Sequence, residues 1–80
     1  MDRNSCMIWM MLRMEENYIR EQQNPDASEE TVRTWRDDMF HACIQTGKLC
    51  GFTPQQSLDI FSDAADLWID KHIKEEAVNV

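Results

Sequence analysis

Backbone punctuation is the tightest constraint on this chain: its 80 residues contain only two glycines and two prolines. These are Gly47, Gly51, Pro25 and Pro54. Tight turns draw on such residues, so a β-rich fold with many reversals is disfavoured and long uninterrupted helices are favoured. The breaks fall at two places, leaving three segments between them.

The first segment can start a helix near Asn4 or Ser5, whose side chains suit an N-cap, and must stop before Asn24-Pro25 because proline disfavours a helical residue ahead of it. The second has two candidate caps, Asp26 with Glu29 three places on, or Ser28 followed by Glu29 and Glu30. Gly47 is one candidate end, but Leu49 and Cys50 continue the apolar phase, which makes Gly51 the better stop. Gly51-Phe52-Thr53-Pro54-Gln55-Gln56 then reads as a full stop and restart. Glycine follows one helix, threonine caps the next, proline takes its first position and Gln56 closes a capping box. Together these signals predict an all-α fold, a three-helix bundle with helices at roughly 5–23, 27–50 and 54–74 and a polar tail fraying after about residue 74. The length accommodates one domain spanning residues 1–80.

At about 100° per residue, the second helix gathers Val32, Trp35, Met39, Ala42, Cys43, Leu49 and Cys50 into a core stripe. Phe40 and Ile44 lie about a quarter-turn away as a second patch. The third helix is apolar over more than half its circumference, with Leu58, Phe61, Ala65, Trp68 and Ile69 on one side and Ile60, Ala64 and Leu67 on the other. That breadth suggests a central position between two neighbours. In the first helix, Met7 through Leu12 is apolar in every direction for nearly two turns. A chain this short has little material to surround such a segment. Methionine is an adaptable gap-filler, so one reading is an irregular monomeric core. The favoured reading is an interface formed by Met7, Trp9, Met10, Phe40 and Ile44, with a homodimer as its default assembly.

Asp59, Asp63, Asp66 and Asp70 recur at i, i+4, i+7 and i+11, which places four carboxylates in a band about 60° wide opposite the apolar surface. Like charges at this spacing repel and aspartate is a poor helix former, so the row is locally unfavourable. It is read either as a solvated face or as a recognition strip. Carboxylates along a rigid helix can imitate nucleic-acid phosphates and enter the basic groove of a larger, nucleic-acid-handling protein. The net charge of −7 agrees with that role and opposes direct contact with nucleic acid or anionic lipid.

No phosphate-cradling loop, nucleophile elbow or paired histidine motif is present, so no catalytic residue, cofactor or metal is expected. His41 reads as a surface residue within reach of Asp37 or Asp38, and His72 as a ring packed on Trp68 with one hydrogen bond. Cys6, Cys43 and Cys50 match no disulfide framework and follow no secretory signal, which points to a reducing, cytoplasmic compartment or a host cytoplasm. A zinc site would need Cys6 and His72 to converge on Cys43 and Cys50; that metal-dependent or redox reading ranks third. No run approaches the roughly 20 apolar residues of a membrane span.

Short, acidic and dense in Trp, Met and Cys, the chain resembles in overall composition the small accessory and inhibitor proteins carried by phages and mobile elements. The expectation is a non-enzymatic protein-binding module that inhibits or modulates a larger protein, with a homodimeric structural or assembly subunit as the alternative.

Overall fold

The computed structural model describes residues 2–78, with side chains through Lys74. Three helices follow in order: α1 (Arg3–Gln23), α2 (Glu29–Leu49) and α3 (Pro54–Val78). Every pair is in contact, consistent with a three-helix bundle, and no strand occurs among the described residues. Short connections make consecutive helices antiparallel, so α1 and α3 run parallel. Since all three pairs pack to a similar extent, α3 is not the central helix its broad apolar surface suggested.

Helix α1 begins earlier than the Asn4 or Ser5 expected. Asp2 is the N-cap, its Oδ1 accepting from the Ser5 amide at 2.8 Å while its carbonyl accepts from Cys6 at 3.0 Å. A carboxylate does this better than an amide or hydroxyl because it also meets the positive end of the helix dipole. The helix ends ahead of Pro25 as expected, where the Asn24 amide bonds the Glu21 carbonyl and the Asn24 side chain bonds the Arg20 carbonyl. Ser28, not Asp26, caps α2: its Oγ accepts from the Thr31 amide at 3.2 Å.

The restart between α2 and α3 is built from both of its predicted halves. Gly51 adopts φ +91°, and the Gly51 and Phe52 amides return to the Lys48 and Gly47 carbonyls, each at 3.0 Å. This is the reversed pair of bonds that closes a helix on a left-handed residue, which glycine enters without steric cost. Thr53 and Gln56 then cap reciprocally: the Gln56 amide donates to Thr53 Oγ1 at 3.1 Å, and the Thr53 amide donates to Gln56 Oε1 at 2.9 Å. Helix α3 runs on to Val78, past the stop expected near residue 74. Lys, Glu and Ala are good helix formers, and Lys74 pairs with Asp70 at 3.1 Å, so nothing there breaks the helix. The side chains beyond Lys74 lie outside the described residues.

The core is small and rich in sulfur. Cys6, Met10 and Met14 from α1 meet Cys43 from α2 and Ile60 and Ala64 from α3, with Met7, Met11, Met39, Cys50, Phe52, Phe61, Ala65 and Trp68 packed around them. Gly47 has a role that its sequence position did not suggest. It is buried where α2 crosses α3, and a Cβ there would fall 2.2 Å from Ser57 Oγ and 2.6 Å from Ser57 Cβ. The helices can approach this closely only because both residues are small. Ser57 is itself fully buried, and its hydroxyl donates to the Thr53 carbonyl at 2.9 Å.

Candidate interaction surface

Burial on α1 divides the apolar run that the sequence left undivided. Met10 marks the centre of the buried stripe, and Ile8, Leu12 and Ile19 stand about 180° from it. These three are 58%, 47% and 45% exposed, and Trp9 beside them is 46% exposed. They form an apolar seam on the outside of the bundle, broken by Glu15 and Glu16. Burying the exposed part of each against a partner would contribute about 1 kcal/mol per side chain.

The expected interface is therefore corrected. Met10 is fully buried, and its carbonyl accepts from the Cys43 thiol at 3.6 Å, so it belongs to the core. Met7 packs against that core, half-buried. Phe40 meets Phe61 edge to face with centroids 5.0 Å apart, which ties it to α3, and Ile44 is half-buried. Trp9 remains exposed; Ile8, Leu12 and Ile19 are additions, and their helical phase opposite Cys6, Met10 and Met14 is the signal that identifies them. A second correction concerns Leu49, placed on the α2 core stripe by phase but 80% exposed, because it stands about 160° around the helix from Gly47, the residue of this last turn that packs on α3. Leu49 rims a groove between α1 and α2 in which Arg13 pairs with Glu16 at 3.3 Å and Arg20 lies 5.5 Å from the Trp35 ring. The groove's charges are largely satisfied within the chain.

All four aspartates of the α3 row are exposed, on the side away from buried Ser57, Ile60 and Ala64. Arg3 reaches across from α1 to pair with Asp63, and Lys74 pairs with Asp70. Asp59 and Asp66 have no ion-pair partner among the described residues. The row is thus half-neutralised, with alternate members presenting uncompensated charge. On α3, Leu58, Leu67, Ile69 and Ile73 are also exposed, which corrects the expectation that two neighbours cover this helix.

His72 packs as expected, its ring 4.0 Å from Trp68. Glu15, which sequence reasoning did not single out, joins it from α1. One carboxylate oxygen accepts from Trp68 Nε1 at 2.8 Å and lies 3.0 Å from His72 Nε2, while Tyr18 stacks at 4.7 Å on the same imidazole. An ionised carboxylate can only accept, so His72 Nε2 carries a hydrogen. The bonds from His72 and Trp68 hold the Glu15 carboxyl below its ordinary value, against the opposing effect of partial burial. This cluster joins the parallel helices α1 and α3. It also places His72 beside Glu15, about 13 Å along α1 from Cys6, so the four-ligand zinc arrangement does not form. No group of three or more His, Cys, Asp or Glu side chains is arranged to hold a metal ion among the described residues. His41 is exposed beside Phe40 and makes no hydrogen bond to Asp37 or Asp38.

No helix among the described residues is long and apolar enough to cross a membrane. No protein-family model, curated protein or solved structure matches the chain.

Proposed function

We propose that the chain is a non-enzymatic binding module that docks on a larger protein and inhibits or modulates it. The observation that supports this reading is the outward seam of Ile8, Leu12 and Ile19 with Trp9 beside it, apolar side chains set away from the core and about half exposed. Grouped exposed side chains of this size mark contact sites more often than solvated surface. The aspartate row supplies a second element. Uncompensated Asp59 and Asp66 suit a partner with a basic groove, such as a nucleic-acid-handling protein, and would speed encounter more than they tighten the complex.

The experiment is affinity capture with the chain and an Ile8→Glu, Leu12→Glu variant. Loss of capture at unchanged thermal stability is the expected result; equal capture by both proteins would refute the seam as the docking face. Reversal of Asp59 and Asp66 to Lys leaves the intrachain pairs of Asp63 and Asp70 intact. A slower, less salt-dependent association is expected from it, and unchanged kinetics would make the row a solvated face only. The same seam also suits a homodimer, since an exposed helical stripe can pack on its own copy about a two-fold axis. Light scattering at high micromolar concentration separates the readings: a dimer that Leu12→Glu dissociates favours self-association, and a monomer removes it.

A further inference from the structure

We propose that the outward face of α3 is a second docking site, which takes an amphipathic helix of the larger protein whose apolar edge is bordered by lysines or arginines about two turns apart. The site presupposes that the chain docks on such a protein, and it lies on a different helix from the seam of Ile8, Leu12 and Ile19. At about 100° per residue, Leu58, Ala65, Ile69 and Ile73 fall within a band about 80° wide. Leu58, Ile69 and Ile73 are exposed and Ala65 is half-buried. On one flank the band runs into Phe61, which meets Phe40 of α2 edge to face, so apolar surface continues toward the neighbouring helix. On the other flank stands the exposed aspartate row.

Charge identifies the occupant. By helical phase, Asp66 and Asp59 are the members of the row nearest the apolar band, and Asp70 and Asp63 lie farther round the helix. The farther two are paired, Asp63 with Arg3 and Asp70 with Lys74. Asp66 and Asp59 have no ion-pair partner among the described residues. The uncompensated carboxylates are thus the ones that border the band, and they stand about 10 Å apart along the axis. A helix laid on the band at ordinary interaxial distance brings its own flank to these carboxylates, and cations two turns apart on that flank pair with both. A groove that is basic throughout would answer the carboxylates but leave Ile69 and Ile73 against polar groups, whereas an amphipathic helix with a basic flank meets both. Nucleic acid and anionic lipid are repelled by the same carboxylates. A second copy brings its own net charge of −7 to the face, which opposes self-association there.

The test uses the full chain and two fluorescent helical peptides of about 18 residues. Both carry leucines along one edge; one has lysines at i and i+7 beside that edge, and the other has glutamates at those places. Anisotropy at low ionic strength is expected to show binding of the lysine peptide and at least about tenfold weaker binding of the glutamate peptide, a comparison that leaves the fold of the chain untouched. Ile69→Gln with Ile73→Gln, checked for unchanged Tm, is expected to weaken the lysine peptide at least about tenfold. Asp59→Asn with Asp66→Asn is expected to weaken it at least about fivefold and to flatten its salt dependence. Ile8→Glu with Leu12→Glu is expected to leave it unchanged. No binding of the lysine peptide, equal binding of the two peptides, indifference to either α3 variant, or loss in the α1 variant overturns the proposal. The two faces are separated by the same samples: partner capture lost in the α1 variant with no peptide binding removes the α3 site alone, and peptide binding at α3 with equal capture by wild type and the α1 variant removes the α1 seam alone.

Discussion

Two residues carry more than their type suggests. Glu15 is an exposed-helix residue by pattern, yet it holds the indole of Trp68 and the imidazole of His72 on a single oxygen. Its carboxyl titrates lower in the folded chain than its ordinary value of 4.5, so the stabilisation it supplies is present above that pH and lost as pH falls through the folded value. Glu15→Gln is expected to cost roughly 0.5–1 kcal/mol at neutral pH, a figure reduced for solvent screening of a partly exposed group. Urea unfolding of the two proteins from pH 7 to pH 3 checks this: their midpoints should converge at the acid end, and a constant gap would contradict the assignment. Gly47 is the other. Alanine is the better helix former by about 1 kcal/mol, but its Cβ would collide with Ser57, whose Cα lies 3.2 Å from that position. Gly47→Ala is therefore expected to destabilise by about 1–3 kcal/mol, measurable as a fall in Tm, whereas a rise would mean that α2 and α3 separate easily.

At the level of the element, helix ends are specified by local chemistry and helix faces by neighbours. The junction of α2 and α3 shows the first point: Gly51 in its left-handed conformation and the reciprocal Thr53–Gln56 bonds use side chains no more than three residues apart. Gly51→Ala and Thr53→Ala are each expected to cost about 1 kcal/mol, read by urea denaturation at unchanged helix content. A negligible effect of Gly51→Ala would mean that the turn accepts another conformation. Helix α1 shows the second point. Its run from Met7 to Leu12 has no polar residue to orient it, so its buried side becomes apparent only from what α2 and α3 place against it. Arg36 and Glu21 fix the far end of the α1–α2 pair, with 2.8 Å between Arg36 Nη2 and Glu21 Oε1. The bond from Arg36 holds the Glu21 carboxyl below its ordinary value, although burial opposes it.

For the whole molecule, the decisive property is that a single small core cannot use all the apolar residues available. The Cα extents of 37 × 31 × 15 Å describe a thin body. Among the described residues, six apolar side chains are buried in its centre, while Ile8, Trp9, Leu12, Ile19 and several on α3 remain exposed. The contrast is testable within α1. Met10→Ala is expected to destabilise by about 2–5 kcal/mol because it empties the core. Ile8→Glu with Leu12→Glu is expected to stay within about 0.5 kcal/mol of wild type per substitution while abolishing association. Chemical denaturation and light scattering on the same samples separate these effects. Comparable destabilisation by both would place Ile8 and Leu12 in the fold and remove the seam.

By itself, the sequence determined the three helices, the stop before Pro25, the capped restart from Gly51 to Gln56 and the outward row of aspartates. Each follows from interactions over three or four residues or from simple periodicity, which a linear chain displays directly. The tertiary structure decided that Met10 is core and Leu12 is not, that Leu49 is exposed, that Gly47 is a helix crossing, and that Glu15 joins α1 to α3. Those outcomes depend on which face each helix turns toward its neighbours and at what register. An all-round apolar helix and a row of similar side chains leave that choice open until the three helices pack.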